Sequence, residues 1–430
     1  MSVFPIKISV SHLQRVSATH WLFPSLYISG HFRVRLMNDS SFRPTKVTLV
    51  TILLCSMLML MGGAAVAPAL PLINEVFPDS EFLISLIITL PSLAIAILGF
   101  VIGALADRFG KVRVLCASLA IFVIAGVSGF FLGSLPAILV GRFLVGIGVG
   151  GVSAAVSALI AEYYTGMDRA KVMSYQSAAM GVGILILEYT GGSLAEISWR
   201  EPFLVYLIGI PILIMALISM REPSREHPDH ASAVGEGRKT NKGVVIVCYI
   251  TIFVVMLMAF LMPTKIPYFL DSIGESSSVA GLFLGIHGVA NALTALMYRR
   301  LVQMARPFTL MGVGFLFFGF GLVLLMIDAS VTVTVMTMVI TGIGLGMISP
   351  AVVNTLASQS TAATSGKIMG GYTTCLNLGQ FSISLVSVPL FALVGSSYPN
   401  LFFVMGVVAL IAGAVYVVGD RMAAGRTAGA

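Results

Sequence analysis

Apolar residues occur along this chain in twelve runs, each long enough to form a membrane-crossing helix. The hydrocarbon layer of a bilayer is about 30 Å thick, so a helix that rises 1.5 Å per residue needs roughly 20 apolar residues to cross it. The runs cover residues 47–70, 82–105, 112–133, 136–161, 171–194, 202–220, 244–264, 277–298, 307–327, 330–354, 366–391 and 399–419. Because they lack the alternation of a lipid-facing barrel strand, the pattern predicts an all-α membrane protein with twelve transmembrane helices.

The longest polar interruption, residues 221–243, divides the runs into two groups of six. Its sequence, REPSREHPDHASAVGEGRKTNKG, is typical of a flexible linker. We therefore expect a six-helix half at 37–220 and a second half at 244–430 that ends in a short tail. Residues 1–36 resemble neither a signal peptide nor a span. We interpret them as a non-native or disordered extension upstream of a true start at Met37, or as a peripheral amphipathic arm.

Composition agrees with the hydropathy pattern and excludes several classes of protein. The chain is 57% hydrophobic and 10% charged, with a mean hydropathy of +0.99, whereas soluble domains carry roughly 25% charged residues. This excludes a soluble enzyme, a secreted disulfide scaffold and a disordered chain. The four cysteines lie inside apolar runs and are interpreted as packing residues. The sequence contains no phosphate-binding loop, metal-ligand spacing or nucleophile constellation, so we expect no enzyme activity, no cofactor and no metal.

The basic residues indicate how the chain is oriented in the membrane. With the N-terminus inside, 22 of the 25 lysines and arginines lie on the cytoplasmic side. Arg142 lies within a span, and Arg200 and Lys265 fall in the predicted outer loops. The positive-inside rule then predicts a multi-pass protein of the cell membrane with both termini in the cytoplasm. The net charge of +7 therefore marks a membrane face, and we expect no nucleic-acid partner.

The two halves share a short repeat at a constant offset of 196 residues. The sequence GIGVG at 146–150 in the fourth run aligns with GIGLG at 342–346 in the tenth, and KVM at 171–173 aligns with KIM at 367–369. Parallel six-helix repeats related by an axis along the membrane normal are an architecture of alternating-access transporters. The repeat is thus the first indication of transport.

The loop after the second run, GALADRFGKVRVL, carries a more specific pattern. Its five key residues are Gly103, Asp107, Arg108, Gly110 and Lys111. Gly103 permits close helix contact, Gly110 permits a tight turn, and Asp107 can bind a base or a helix N-terminus. The pattern resembles the cytoplasmic loop signature of the major facilitator superfamily, which implies a conformational latch that breaks during transport. Gln303 replaces the aspartate in the second half, so the latch is expected to be degenerate or absent there.

The fourth and fifth runs extend this resemblance. Arg142 followed by Gly146 and Gly150 resembles the arginine-plus-glycine pattern of proton-coupled members, and the glycines are expected to pack against another helix. In the fifth run, the packing glycines Gly191 and Gly192 match the paired glycines of the proton antiporters, but Glu188 stands where their proline is expected. The resemblance therefore points to the drug/proton-antiporter-like efflux branch, with a departure at Glu188.

Three ionisable residues are candidates for proton coupling. Glu188 is the only acidic residue well inside any run, and Arg142 lies at the same depth by residue count. We predict that they face each other, as an ion pair or through water. The pair serves either proton coupling or permanent helix packing. His287 in the eighth run either binds a proton or an anionic group, or is satisfied by a neighbouring carbonyl.

Polar side chains within the spans are candidates for a substrate cavity or for hydrogen bonds between helices. They are Tyr175, Gln176, Asn291, Tyr372, Asn377 and Gln380. The first hypothesis for function is a monomeric, proton-coupled secondary transporter that exports small amphiphilic or drug-like molecules. The alternatives are a uniporter or proton symporter for a sugar, metabolite or small organic anion, and a transport-dead receptor or scaffold.

Overall fold

A computed structural model of the chain describes residues 44–78, 81–223, 240–361 and 364–428. As the hydropathy pattern predicts, these residues are almost entirely helical. Helices α1 to α14 comprise Lys46–Leu58, Leu70–Val76, Glu81–Phe109, Lys111–Phe131, Leu135–Tyr163, Gly166–Ala195, Gly209–Ser219, Lys242–Ala259, Leu261–Ser272, Ser277–Met304, Pro307–Ile327, Val331–Gln359, Ser365–Leu393 and Tyr398–Ala428. The predictions for residues 1–36 and for most of the linker lie outside the described residues.

Eleven of the twelve predicted runs form helical segments that are long and apolar enough to cross a membrane. Two of these segments join two elements each. Residues Glu201–Ser219 combine a 3₁₀ helix, Glu201–Ile208, with α7, and residues Lys242–Ser272 combine α8 with α9. Most predicted helix boundaries in these runs lie within five residues of the observed ones, but the run predicted to end at 264 continues to Ser272.

The first run differs, because its helix is broken near the middle. Helix α1 ends at Leu58, residues 59–66 form turns, and a 3₁₀ helix, Ala67–Ala69, leads into α2. Gly62 and Gly63 weaken the helix at the break, and Pro68 follows it. At Gly63 a Cβ atom would lie 2.8 Å from the Ile88 side chain, so only glycine lets the turn approach α3. Backbone carbonyls in the turn are thereby released from the helical ladder.

Helices α1 to α7 form one half of the bundle and α8 to α14 the other. The halves meet where α6 packs against α10 and α3 packs against α13. We call the end of the bundle with the α3–α4 turn and the boundaries of 221–243 the linker end, and the opposite end the far end. Near the far end, Gly285 and Gly288 of α10 lie against Leu185 and Ile184 of α6. The small residues allow the two halves to approach closely there.

Toward the linker end the two halves separate. In the first part of α6 and its N-cap, residues 165–178 are exposed, with Val172 and Gln176 as the exceptions. In the far-end part of the same helix, several residues, including Gly181 and Leu187, are buried. Helix α3 shows the same change, from mostly buried residues at 84–94 to mostly exposed ones at 97–109. The described residues therefore form a bundle that is closed at the far end and open at the linker end.

The turn between α3 and α4 contains the five residues of the predicted latch. Gly110 has φ +105° and ψ +143°, a conformation that is essentially restricted to glycine. The carboxylate of Glu222 accepts hydrogen bonds from the backbone N–H groups of Lys111 and Val112, the latter at 3.1 Å. Glu222, rather than Asp107, thus binds the N-terminus of α4, where the helix dipole favours a negative charge.

The expected close helix contact at Gly103 is wrong for this conformation. A Cβ atom at Gly103 would meet no atom within 4 Å, and both Asp107 and Arg108 are exposed. Lys111 forms an ion pair with Glu162 of α5, within its own half. Because the halves are apart at the linker end, Gly103 and Asp107 lie on an open surface in this conformation.

Gly110→Ala should lower the melting temperature of the detergent-purified protein. The alanine would hold a glycine-only backbone conformation at a cost of about 1–3 kcal/mol, and its Cβ would collide with the Glu222 carboxylate. Gly103→Ala, inside α3 and with open space at its Cβ, is the matched control and should not lower the melting temperature. Equal melting temperatures for the wild type and Gly110→Ala would contradict this account of the turn.

Candidate functional site

The side chain of Arg142 joins three elements of the first half. It is 1% exposed, and its Nε donates to the carbonyl of Ile87 in α3 at 2.7 Å. One terminal nitrogen donates to the Tyr206 hydroxyl at 2.7 Å, and the other donates to the carbonyl of Gly62 in the broken first span. Each of the three guanidinium nitrogens therefore donates to a neutral acceptor.

Two of these acceptors exist because helices are interrupted. Pro91 lies inside α3 and has no N–H, so it leaves the carbonyl of Ile87, four residues earlier, without its helical donor. Gly62 lies in the turn that breaks the first span. Arg142 donates to both carbonyls, and the Tyr206 hydroxyl donates to a third, that of Met61, at 3.1 Å. The arginine and tyrosine together replace hydrogen bonds that the backbone has lost.

The predicted ion pair between Arg142 and Glu188 is therefore wrong. Among the described residues, no carboxylate lies within ion-pair distance of Arg142, and its donors go to Ile87, Gly62 and Tyr206. The residue count along each span placed the two side chains at one depth, but it does not determine which way each side chain faces around its helix. A proton-coupling role for Arg142 stays a prediction.

Glu188 instead lies at the contact between the two halves. It is 7% exposed, and its Oε2 atom has no hydrogen-bond partner among the described residues. The backbone of Glu188 packs directly against Gly281 of α10, where a Cβ atom would collide with the Glu188 carbonyl. Gly191, one turn later, packs against Ala65 of the broken first span, and Gly192 packs against Ser277 of α10. The backbone of Glu188 thus lies in the tight contact between α6 and α10, and its side chain is buried with one oxygen that has no hydrogen-bond partner among the described residues.

His287 is directed to the second half. Its Nδ1 lies 3.1 Å from the Thr341 hydroxyl and 3.3 Å from the Met338 carbonyl, both in α12. This corresponds to the interpretation in which a neighbouring carbonyl satisfies the ring. Arg142, Glu188 and His287 therefore do not form one cluster, and the role of His287 in proton coupling stays a prediction.

The six cavity candidates are spread over several environments. Gln176 donates to the Met59 sulfur at 3.7 Å, and Gln380 donates to the Met256 sulfur at 3.8 Å while accepting a 2.7 Å bond from Ser92 across the halves. The other four lie apart from these contacts. Tyr175 is 53% exposed, Asn291 and Tyr372 are half-buried, and buried Asn377 donates to Thr373 of its own helix.

Gly146 and Gly150 lie on the face of α5 that is turned to α3. A Cβ atom at Gly146 would lie 2.7 Å from the Cα atom of Pro91, whereas one at Gly150 would make ordinary contacts of 3.5 Å. Close packing is therefore concentrated at Gly146, which lies against Pro91. Pro91 is the residue whose missing N–H is replaced by the donor from Arg142.

An ion pair between the halves lies at the far end. Lys265, which the sequence places in an outer loop, is instead inside α9 and only 1% exposed. Its ammonium pairs with Glu81, the first residue of α3 in the other half. The rings of Tyr268 and Phe391 lie 5.9 Å and 5.4 Å from the ammonium. A second link, 3.3 Å long, runs from the Ser278 N–H to Glu196.

Two features of this region escape the hydropathy pattern but leave traces in the sequence. Pro91 follows Ile87 by four residues, which signals an orphan carbonyl in the second span. The predicted run 244–264 stops one residue before Lys265, although the apolar and aromatic residues IPYFL continue through 266–270. If the predicted helix had been extended through Lys265, the sequence would have predicted a buried lysine that needs an acidic partner, such as Glu81.

Comparison with known proteins gives consistent results for sequence and fold. The family model described as Major Facilitator Superfamily matches residues 52–264 and 247–430. The tetracycline resistance protein, class C, of Escherichia coli is 30% identical over 204 residues, which are 45% of this chain and 50% of that protein. Multidrug resistance protein 1 of Bacillus subtilis is 27% identical over 218 residues, 50% of this chain and 54% of that protein. The matched segments thus span about half the length of these relatives.

Solved structures share the fold over most of the chain. The nucleoside transporter NupG matches with a TM-score of 0.73 at 11% identity, covering 86% of this chain and 99% of its own. The D-xylose-proton symporter matches with a TM-score of 0.69 at 18% identity, covering 86% and 96%. At these identities the likeness concerns the fold alone.

Pro91→Ala should reduce the dependence of stability on Arg142. Arg142→Ala leaves the carbonyls of Ile87 and Gly62 without donors, at about 1–3 kcal/mol each, and should lower the melting temperature strongly. An alanine at 91 supplies an N–H for Ile87, so the further loss caused by Arg142→Ala should be smaller in the Pro91→Ala background.

The test is a double-mutant cycle of melting temperatures in detergent, with Tyr206→Phe as a milder variant that removes only one hydroxyl. Losses that simply add between Pro91→Ala and Arg142→Ala would contradict the compensation.

Proposed function

The chain belongs to the Major Facilitator Superfamily, and we propose that it exports small amphiphilic or drug-like molecules in exchange for protons. The observation that carries this proposal is the side chain of Glu188, which is buried on the helix that packs against α10 and has an oxygen without a hydrogen-bond partner among the described residues. The names of two relatives, a tetracycline resistance protein and a multidrug resistance protein, support this substrate class.

We place the protein in the cell membrane, with both termini and the linker end in the cytoplasm, as the positive-inside rule indicates. The described conformation is then open to the cytoplasm and closed to the outside. Transport would proceed by rocking of the two halves, so that the far-end contacts between α6 and α10 and between α3 and α13 break as the linker end closes.

Glu188 links this motion to protons. A carboxylate with a buried, unpartnered oxygen is costly inside the membrane, because that oxygen has no donor to compensate for its lost hydration. Closure of α6 on α10 therefore favours the protonated form, whereas opening of the far end lets water reach the group. A proton taken up from the outside stabilises the cytoplasm-open conformation, and its release toward the cytoplasm allows the return.

The alternative of a sugar or anion carrier requires Arg142 or His287 to contact the substrate. Both side chains are hydrogen-bonded within the protein, Arg142 to Ile87, Gly62 and Tyr206, and His287 to α12. Glu188 has an oxygen without a partner in the described part of the chain, so the efflux proposal uses a polar group that is available.

Glu188→Gln should abolish proton-driven transport while retaining the fold. The glutamine is isosteric but cannot release a proton at this site. Purified protein in liposomes with an imposed proton gradient should move a tested substrate, drawn from tetracycline, a quinolone and ethidium, together with counter-moving protons. The variant should lose both movements or equilibrate the substrate without regard to the gradient.

Glu196→Gln is the matched control at the end of the same helix. Hydrogen bonds from Ser278 and Ser276 lower the pKa of the Glu196 carboxyl below its usual range, so this group stays ionised near neutral pH and should not carry protons. Gradient-driven, pH-dependent transport that persists in Glu188→Gln would contradict the role of Glu188. Complete loss in Glu196→Gln would show that the assay responds to structural damage.

The Glu81–Lys265 pair should control access from the far end. Glu81→Gln leaves the buried Lys265 ammonium without a counter-charge and should favour the far-end-open conformation, while Glu81→Gln combined with Lys265→Gln should restore closure. Thr89→Cys, placed in a background without the four native cysteines, reports the change. Thr89 is fully buried and bonded to Ser384 across the halves at 2.6 Å.

The measurement is the rate at which a membrane-impermeant maleimide, added on the far side, labels the cysteine introduced at position 89. The rate should rise with Glu81→Gln and fall back in the double variant. Equal rates in all three backgrounds would rule out a gating role for the pair.

A further inference from the structure

An apolar groove runs between α8 and α14 near the linker end. Its volume is about 390 Å³, and its walls include Val247 and Ile250 of α8, Phe308 of α11 and Val415 of α14. Ile250 is 57% exposed and Val415 is 64% exposed, so the groove opens on the outer surface of the helices. Ile250 lies eight residues after the start of α8, or about 12 Å along the helix, at the depth of lipid acyl chains.

A larger cavity of about 820 Å³ adjoins the groove at the linker end. The two share Phe308 and Asp420. The cavity wall carries Arg299 of α10 and Arg306, which precedes α11. Asp420 accepts a hydrogen bond from the Thr309 hydroxyl, so two arginines and one engaged carboxylate leave the cavity with a net positive charge.

A buried hydroxyl in the cavity wall lacks a partner. Tyr298 is 6% exposed, and its hydroxyl makes no hydrogen bond among the described residues. The Asn354 side chain lies beside it in the same wall. These uncharged polar groups make the wall polar next to the two arginines.

We infer that the cavity and the groove together bind one anionic phospholipid from the leaflet at the linker end. The phosphate group would lie at Arg299 and Arg306 and within reach of the polar wall, and an acyl chain would follow the groove past Ile250 and Val415. Basic pockets between transmembrane helices are suited to anionic head groups, and the apolar continuation selects a lipid over a free anion. This inference does not rest on the transported substrate.

The test is titration of the purified full-length protein with phosphatidylglycerol, phosphatidylcholine and inorganic phosphate separately. Native mass spectrometry should detect a one-to-one adduct with phosphatidylglycerol that phosphate at millimolar concentration does not displace. Arg299→Ala and Arg306→Ala should each weaken this binding about fivefold, as expected for one lost surface cation. Arg300→Ala is the matched control, since Arg300 is adjacent but outside the cavity wall, and should leave binding unchanged.

Gly419→Leu tests the groove without changing any charge. A Cβ atom at Gly419 meets no atom within 4 Å, so the leucine should fill the groove without disturbing the helices and should abolish lipid binding. Gly133→Leu, at an equally open site in the loop before α5, should bind lipid like the wild type. Equal binding of phosphatidylcholine, an equal loss in Arg300→Ala, or displacement by phosphate alone would each overturn the inference.

Discussion

In the first half of the described bundle, one buried arginine compensates for two interrupted helices. The break in the first span and the proline in α3 each release backbone carbonyls inside the membrane, where no water can satisfy them. Arg142 donates to Ile87 and Gly62, and Tyr206 extends the network to Met61. An arginine suits this position because its planar group presents several donors in different directions, which a lysine ammonium cannot match at the same distances. The irregular first span can exist because this side chain is present.

This division between satisfied and unsatisfied polar groups separates structural from functional candidates. Arg142 and His287 direct their hydrogen bonds to the protein, whereas Glu188 retains a buried oxygen without a partner among the described residues. A transporter that carries protons needs a group whose charge is tolerated in one conformation and disfavoured in another. In the proposed mechanism Glu188 meets this need, because its backbone packs against α10 and its surroundings would change if the two halves moved.

Most of the fold could be predicted from the sequence, because membrane spans depend on segment length and hydropathy, and both are local properties. The two-half division and the glycine turn at Gly110 follow from equally local signals. The Arg142–Glu188 pair was wrong because depth along a helix says nothing about rotation around it, and because the carbonyls that compete for the arginine are invisible in a hydropathy pattern. Lys265 was misplaced because its charge ended the apolar run early, although Glu81 from the other half satisfies that charge. The contacts between the two halves are the part of the candidate site that could not be predicted from hydropathy along the chain.

An ion pair at the far end of the bundle is buried, whereas Asp107 at the linker end is exposed. This difference suggests how the protein could keep two conformations close in free energy. At the far end Lys265 and Glu81 are paired and shielded by aromatic rings, while at the linker end Asp107 and Gly103 lie on an open surface. Opening the far end would hydrate Lys265 and Glu81, and closing the linker end would bury Asp107 and Gly103. Because each conformation loses hydration at one end and gains it at the other, the large desolvation terms offset each other. In the proposed mechanism, protonation of Glu188 would then shift the balance between the two conformations.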